Sequence, residues 1–213
     1  MIKAIIFDYD GVIVDSFPKV HEVYQTICKK LGKPCPKDFK EFKKVYGYQA
    51  KECSKNLGFS ESEREEANKI YSVEILKKNP RLFEGIKEVI DELKKSYKLV
   101  LISSSPRAEV MSKLEKYDLA KNFDLIFASD KIGPMVKNGA FIETFNKLNL
   151  KPSEVIMIGD RTIDYDHGIE VGLESSKIII VEYGWGYDEN KVPKQKILVE
   201  KPLDLLKAIR LIN

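Results

Sequence analysis

Two aspartates with one residue between them, Asp8 and Asp10, follow the apolar run Ile5-Ile6-Phe7 and precede Gly11 and a second apolar run, Val12-Ile13-Val14. That spacing brings two carboxylates close together, where like charges repel strongly in a low-dielectric cleft unless a cation or a shared proton intervenes. A metal ion is the remedy to which the pair points. The same residues also suit an ordinary Asp-Gly turn after a strand, and taken alone they leave both readings open.

Three more groups could join this chemistry. The run Val155-Ile-Met-Ile-Gly159 ends in Asp160, with Asp164 four residues on. A second acidic strand end beside the first would make an oxygen-rich site of the kind Mg²⁺ prefers. Asp164 would equally serve as a helix-dipole partner near the start of a helix. Ser103-Ser104-Ser105-Pro106 closes another apolar run. Hydroxyls and free N–H groups ahead of a helix suit a phosphate oxygen, and they also suit a plain N-cap. Lys137 precedes a helical stretch. An isolated lysine is ordinarily a solvated surface group, but an ammonium that reached the aspartates would offset their negative charge. His167, on the helix after Asp160, reads as packing or surface.

These groups meet only if the apolar runs lie side by side. Runs apolar on both faces belong in a parallel sheet covered by helices, and in open sheets of that kind ligands bind at the carboxyl ends of the strands. Strands are predicted at 5–7, 98–103, 123–127, 155–159, 177–181 and 197–199. Helices are predicted at 86–93, 106–116, 140–148, 163–171 and at the end of the chain. Between residues 15 and 78 the texture differs, with apolar residues at helical spacing, dense charge and no strand-like run. Val20, Val23, Tyr24, Ile27 and Leu31 form one stripe, and Phe39, Phe42 and Val45 a second. Two further helices are expected at 49–57 and 60–76, the latter with Ser60 and Glu63 as a capping box. The expected fold is therefore α/β, a Rossmann-like parallel sheet core (1–15 and 80–213) with an inserted small α-helical cap domain (16–79). Topology puts the insert over the carboxyl ends of the strands, as a lid on Asp8 and Asp10.

The opening fifteen residues resemble the haloacid dehalogenase superfamily of phosphohydrolases, and the later motifs follow in that family's order. The resemblance implies that Asp8 is the nucleophile and Asp10 the general acid/base, and that Ser103 contacts the phosphoryl group. Ser104 stands where many relatives carry Asn, and is read as a second substrate contact. Lys137 matches the family's lysine, followed here by Asn138 rather than proline. Asp160 falls on a direct metal ligand and Asp164 on a water-mediated or orienting one, with Asp8 and the Asp10 backbone carbonyl completing a Mg²⁺ site. Leu82-Phe-Glu-Gly85 and Val181-Glu-Tyr-Gly-Trp-Gly-Tyr187 look like the phosphoglycolate phosphatase-like branch. In relatives with such a cap, the loop at the glycine corresponding to Gly47 enters the active site, which makes Gly47 and Tyr48 candidates for substrate binding. Tyr46 and Tyr48 would also serve simply to pack a helix junction.

The expected activity is a Mg²⁺-dependent phosphatase acting on a small phosphorylated metabolite through an aspartyl phosphate. A dehalogenase has no use for Asp10. A phosphohexomutase relies on a cap histidine and arginine, and those positions fall on Val20 and Ala50, beside His21 and Lys51. A non-catalytic module on the same fold typically lacks a catalytic acid, and none is missing. With 36 basic and 33 acidic side chains the chain carries +3, with no long block of one sign, which gives no reason to expect nucleic acid. No apolar run is long enough to span a bilayer, the amino terminus lacks a leader-like stretch, and a cytoplasmic location is expected. Cys28, Cys35 and Cys53 match no zinc or redox spacing and are read as reduced structural thiols. The oligomeric state is open.

Overall fold

Ala4–Phe7 forms strand β1, every residue of it buried. It runs down the centre of a five-stranded parallel sheet in a computed structural model that describes residues 1–46, 50–77, 80–129, 137–188, 190 and 199–212. Chain order continues with β2 (Val14–Asp15), helices α1 (Phe17–Lys30), α2 (Phe39–Tyr46), α3 (Ala50–Asn56) and α4 (Glu61–Glu74), and β3 (Arg81–Leu82). Helix α5 (Ile86–Leu93), β4 (Lys98–Pro106), α6 (Arg107–Lys116), β5 (Leu125–Ser129), α7 (Lys137–Leu148), β6 (Val155–Gly159), α8 (Thr162–Glu170), β7 (Ile178–Ile180) and α9 (Asp204–Ile212) follow. The sheet order is β5-β4-β1-β6-β7, with Phe7 paired to Leu101 on one side and Ile158 on the other.

The two-residue period of a strand explains why these runs are apolar throughout. Ile5, Phe7, Leu99, Leu101, Ile156 and Ile158 enter one apolar layer with Ile86, Ile90, Val110, Leu205 and Ile209 of α5, α6 and α9. Ala4, Ile6, Val100, Ile102, Val155 and Met157 enter the other with Ala140 and Phe141 of α7. Both faces are buried, so no polar residue alternates.

The chain divides into two compact units, Met1–Asp15 with Arg81–Asn213, and Ser16–Pro80. The second unit is built on aromatic packing. Phe17 and Phe42 lie 5.5 Å apart, Tyr24 and Tyr71 5.8 Å, and His21 stacks on Phe42 at 4.4 Å while its Nε2–H donates to the Pro36 carbonyl at 2.7 Å. Helix α4 opens with the expected capping box: the Glu63 carboxylate accepts from Ser60 N–H at 2.8 Å, and Ser60 Oγ accepts from Glu63 N–H at 3.4 Å. The three cysteines, all in this unit, are free thiols.

Several element limits differ from expectation. Strand β4 continues through the serines to Pro106, with a register irregularity between Ile102 and Pro106. Strand β5 begins at Leu125 rather than Phe123, because Phe123 closes a 3₁₀ turn over Ala120–Asn122, its N–H donating to the Ala120 carbonyl at 3.3 Å. Helix α7 begins at Lys137 rather than Ala140, taking in Asn138 and Gly139 against their propensity. Of the strand expected at 197–199, the first two residues lie outside those described, and the Val199 carbonyl accepts from Glu182 N–H at 2.9 Å. The antiparallel pair β2 and β3 was not anticipated, since two-residue strands leave no periodicity to read. Among the described residues no helix is long and apolar enough to cross a membrane.

Candidate active site

Since β1 lies between β4 and β6, the residues that follow these strands gather at one edge of the sheet. Asp8 extends the ladder by donating its N–H to the Ile158 carbonyl at 2.9 Å. After Asp10 the chain reverses at Gly11, whose φ of +82° is a left-handed value that side chains disfavour. A Cβ there would also stand 2.0 Å from Asp160 Oδ2, so glycine is required both by the turn and by the approach of the neighbouring strand end.

Lys137 links two of the acids. Its buried ammonium lies 3.0 Å from Asp8 Oδ1 and 2.8 Å from Asp164 Oδ1. The other oxygen of Asp164 accepts the N–H groups of Arg161 (3.1 Å) and Asp160 (3.3 Å), so this carboxylate is engaged through both its oxygens. Asp160 is different. Its Oδ2 accepts the Gly186 N–H at 2.7 Å, whereas its Oδ1 is buried with no hydrogen-bond partner among the described residues. Ligand oxygens of Asp8, Asp160 and Asp164 all lie within 4.8 Å of one another.

Burial pushes the Asp8 carboxyl up to about 7; Lys137 opposes this, and Asp164 and Asp10 reinforce it. Burial likewise pushes Asp160 up to about 8, with Arg161 opposing and Asp164 and Asp8 reinforcing. Burial also lowers the Lys137 ammonium's tendency to stay charged, but Asp164 and Asp8 overcome it and hold its pKa above the usual lysine value. Among the described residues, Lys137 and Arg161 therefore face three close carboxylates, and one carboxylate oxygen, Asp160 Oδ1, is buried without a donor. Hard oxygen ligands with that charge deficit fit a divalent cation such as Mg²⁺.

Of the serines, Ser103 is buried and its Oγ accepts the Ser105 N–H at 3.0 Å. Ser104 is exposed. Ser105, which the sequence reading passed over, donates its hydroxyl to Asp10 Oδ2 at 2.6 Å. Gly47 and Tyr48 lie outside the described residues.

A family model described as haloacid dehalogenase-like hydrolase matches residues 5–178. The chain belongs to that family. A phosphorylated carbohydrates phosphatase of Thermotoga maritima is 28% identical to it, over 98% of each chain. A phosphoglycolate phosphatase of Synechococcus elongatus is 25% identical over 97% of each. The structure of a haloacid dehalogenase-like family hydrolase from Streptococcus pneumoniae superposes with a TM-score of 0.85 at 25% identity, covering 98% of both chains. This haloacid dehalogenase-like hydrolase stands in the phosphoglycolate phosphatase-like branch.

Its site includes further residues that the sequence reading did not single out. Gly184 and Gly186 press on Asp160, where their Cβ atoms would fall 2.3 Å from its Cβ and 2.7 Å from its Oδ2 respectively. Between them Trp185 lies under the Arg161 guanidinium, 4.0 Å from ring centroid to carbon. The repeated glycine in Tyr183-Gly-Trp-Gly-Tyr187 was the available signal, because glycine alternating with aromatics after a strand marks a close backbone approach.

Proposed function

We propose that this phosphoric monoester hydrolase cleaves a small phosphorylated metabolite, of the phosphoglycolate or sugar-phosphate kind, by passing the phosphoryl group through Asp8. The observation that carries the reading is the Lys137 ammonium held between Asp8 and Asp164, 3.0 Å from the first, beside an Asp160 oxygen with no partner among the described residues. An Asp8 oxygen attacks phosphorus, the bond to the leaving oxygen breaks, and Asp10 gives that oxygen its proton. Water then attacks the acyl phosphate and returns a proton to Asp10, which releases phosphate and restores Asp8. Lys137 and Ser103 hold phosphoryl oxygens while charge builds up on them. Asp8, the Asp10 carbonyl and Asp160 would hold Mg²⁺, with Asp164 orienting the loop. Bound there, the cation supplies charge neutralisation between nucleophile and phosphate.

Selection among esters is assigned to the 16–79 insert, with Gly47 and Tyr48, which follow α2 in the sequence, as the candidate contacts. A mutase would call on an insert histidine, and the insert's one histidine, His21, is hydrogen-bonded to the Pro36 carbonyl and stacked on Phe42. The deciding experiment is a screen of phosphate esters with Mg²⁺, wild type beside Asp8→Asn. Turnover by the wild type alone is expected, and comparable turnover by the variant would sink the mechanism.

A further inference from the structure

Ser105 has no part in holding the phosphoryl group or the cation as set out above, yet its geometry is specific. Strand β4 loses register between Ile102 and Pro106, and such irregularities re-aim side chains. Pro106 keeps the residue before it out of the helical region, which favours an extended Ser105. The Ser105 N–H is tied to Ser103 Oγ at 3.0 Å, and its hydroxyl donates to Asp10 Oδ2 at 2.6 Å. That separation lies in the range of a charge-assisted O–H···O⁻ bond.

We infer that Ser105 is a positioning residue for Asp10, holding its carboxyl group in place through both proton transfers of the reaction. The inference rests on the phosphatase reading and deepens it. A hydroxyl suits the task because it is a neutral donor. It can donate to Oδ2 in both the carboxylate and the carboxyl form of Asp10, which leaves Oδ1 to carry the proton that is transferred. In the first half of the cycle the Asp10 proton passes to the leaving oxygen as its bond to phosphorus breaks. In the second half a water proton passes to Asp10 as the water oxygen bonds to phosphorus. An ammonium in place of the hydroxyl would favour the charged form and oppose return of the proton.

The test uses the leaving group. p-Nitrophenolate departs without a proton, whereas the alkoxide of an alkyl ester such as glycerol 3-phosphate does not. kcat/KM covers the chain only up to formation of the aspartyl phosphate, so it isolates the first proton transfer. Ser105→Ala should lower kcat/KM on the alkyl ester by about ten- to a hundredfold and on p-nitrophenyl phosphate by less than about threefold, with Ser105→Thr restoring most of the loss. Equal losses on the two esters, or none on the alkyl ester, would overturn the assignment. Should Ser105→Ala fail to fold, Ser105→Cys keeps the volume with a much weaker donor and carries the same comparison. Asp8→Asn is run alongside. If it stays active, the phosphatase reading falls and this inference with it; if it is inactive while Ser105→Ala affects both esters alike, only the role of Ser105 is lost.

Discussion

Among the described residues, Asp8, Asp160 and Asp164 lie close together and buried, with the Lys137 ammonium on two of them; if Mg²⁺ binds there as proposed, it competes with protons for their oxygens. The carboxyls of Asp8 and Asp160 sit at about 7 and 8, against an ordinary 3.8, so the folded protein binds their protons more tightly than the unfolded chain does. That contribution to stability is complete below about pH 4 and is lost as pH rises through 7 and 8. Metal-free protein should therefore lose thermal stability between pH 5 and 8, and Asp160→Asn should flatten that slope. Added Mg²⁺ should raise Tm more at pH 8 than at pH 5, because at the lower pH it must displace those protons. Scanning calorimetry across that range checks both the slope and the response to metal; an equal Mg²⁺ effect at the two pH values would contradict the competition. Asp8→Asn should keep the fold while turnover falls to background, read by circular dichroism beside phosphate release.

At the scale of elements, the turn at Gly11 and the helix cap at Ser60 are separable. Gly11→Ala must move either the turn or Asp160, since its Cβ would lie 2.0 Å from Asp160 Oδ2. It should weaken Mg²⁺ binding by about tenfold or more, as loss of a supporting contact does at other metal sites, measured by titration calorimetry. Ser60→Ala should cost about 1 kcal/mol of α4 stability and leave Mg²⁺ affinity unchanged. Which elements the sequence revealed follows from burial. Strands β1, β4 and β6 stood out because both faces are covered, and α4 because its cap is local. β2 and β3 were hidden, as their pairing joins Val14 to Leu82 and Asp15 to Arg81 across the whole insert. The acids and Lys137 were legible as strand-end and helix-start residues. Ser105 was not, because the irregularity that turns it toward Asp10 comes from the pairing of β4 with β5 and leaves no mark in a run of three serines.

For the molecule as a whole, the proposed function would give chemistry and selection to different stretches of chain. If Tyr48 belongs to the selecting part, Tyr48→Ala should change kcat/KM unequally across a panel of esters with little effect on Tm; a uniform change would return it to packing. The β2 and β3 ladder bears on this division. It joins the residues on which the chain leaves the core to those on which it comes back, so everything from Ser16 to Pro80 is a detour between touching points. The entropy of closing such a detour grows only slowly with its length. A descendant gene could therefore lengthen, trim or graft this stretch while inheriting the catalytic sheet unchanged, and new substrates could be acquired by transplantation rather than by rewriting the acids.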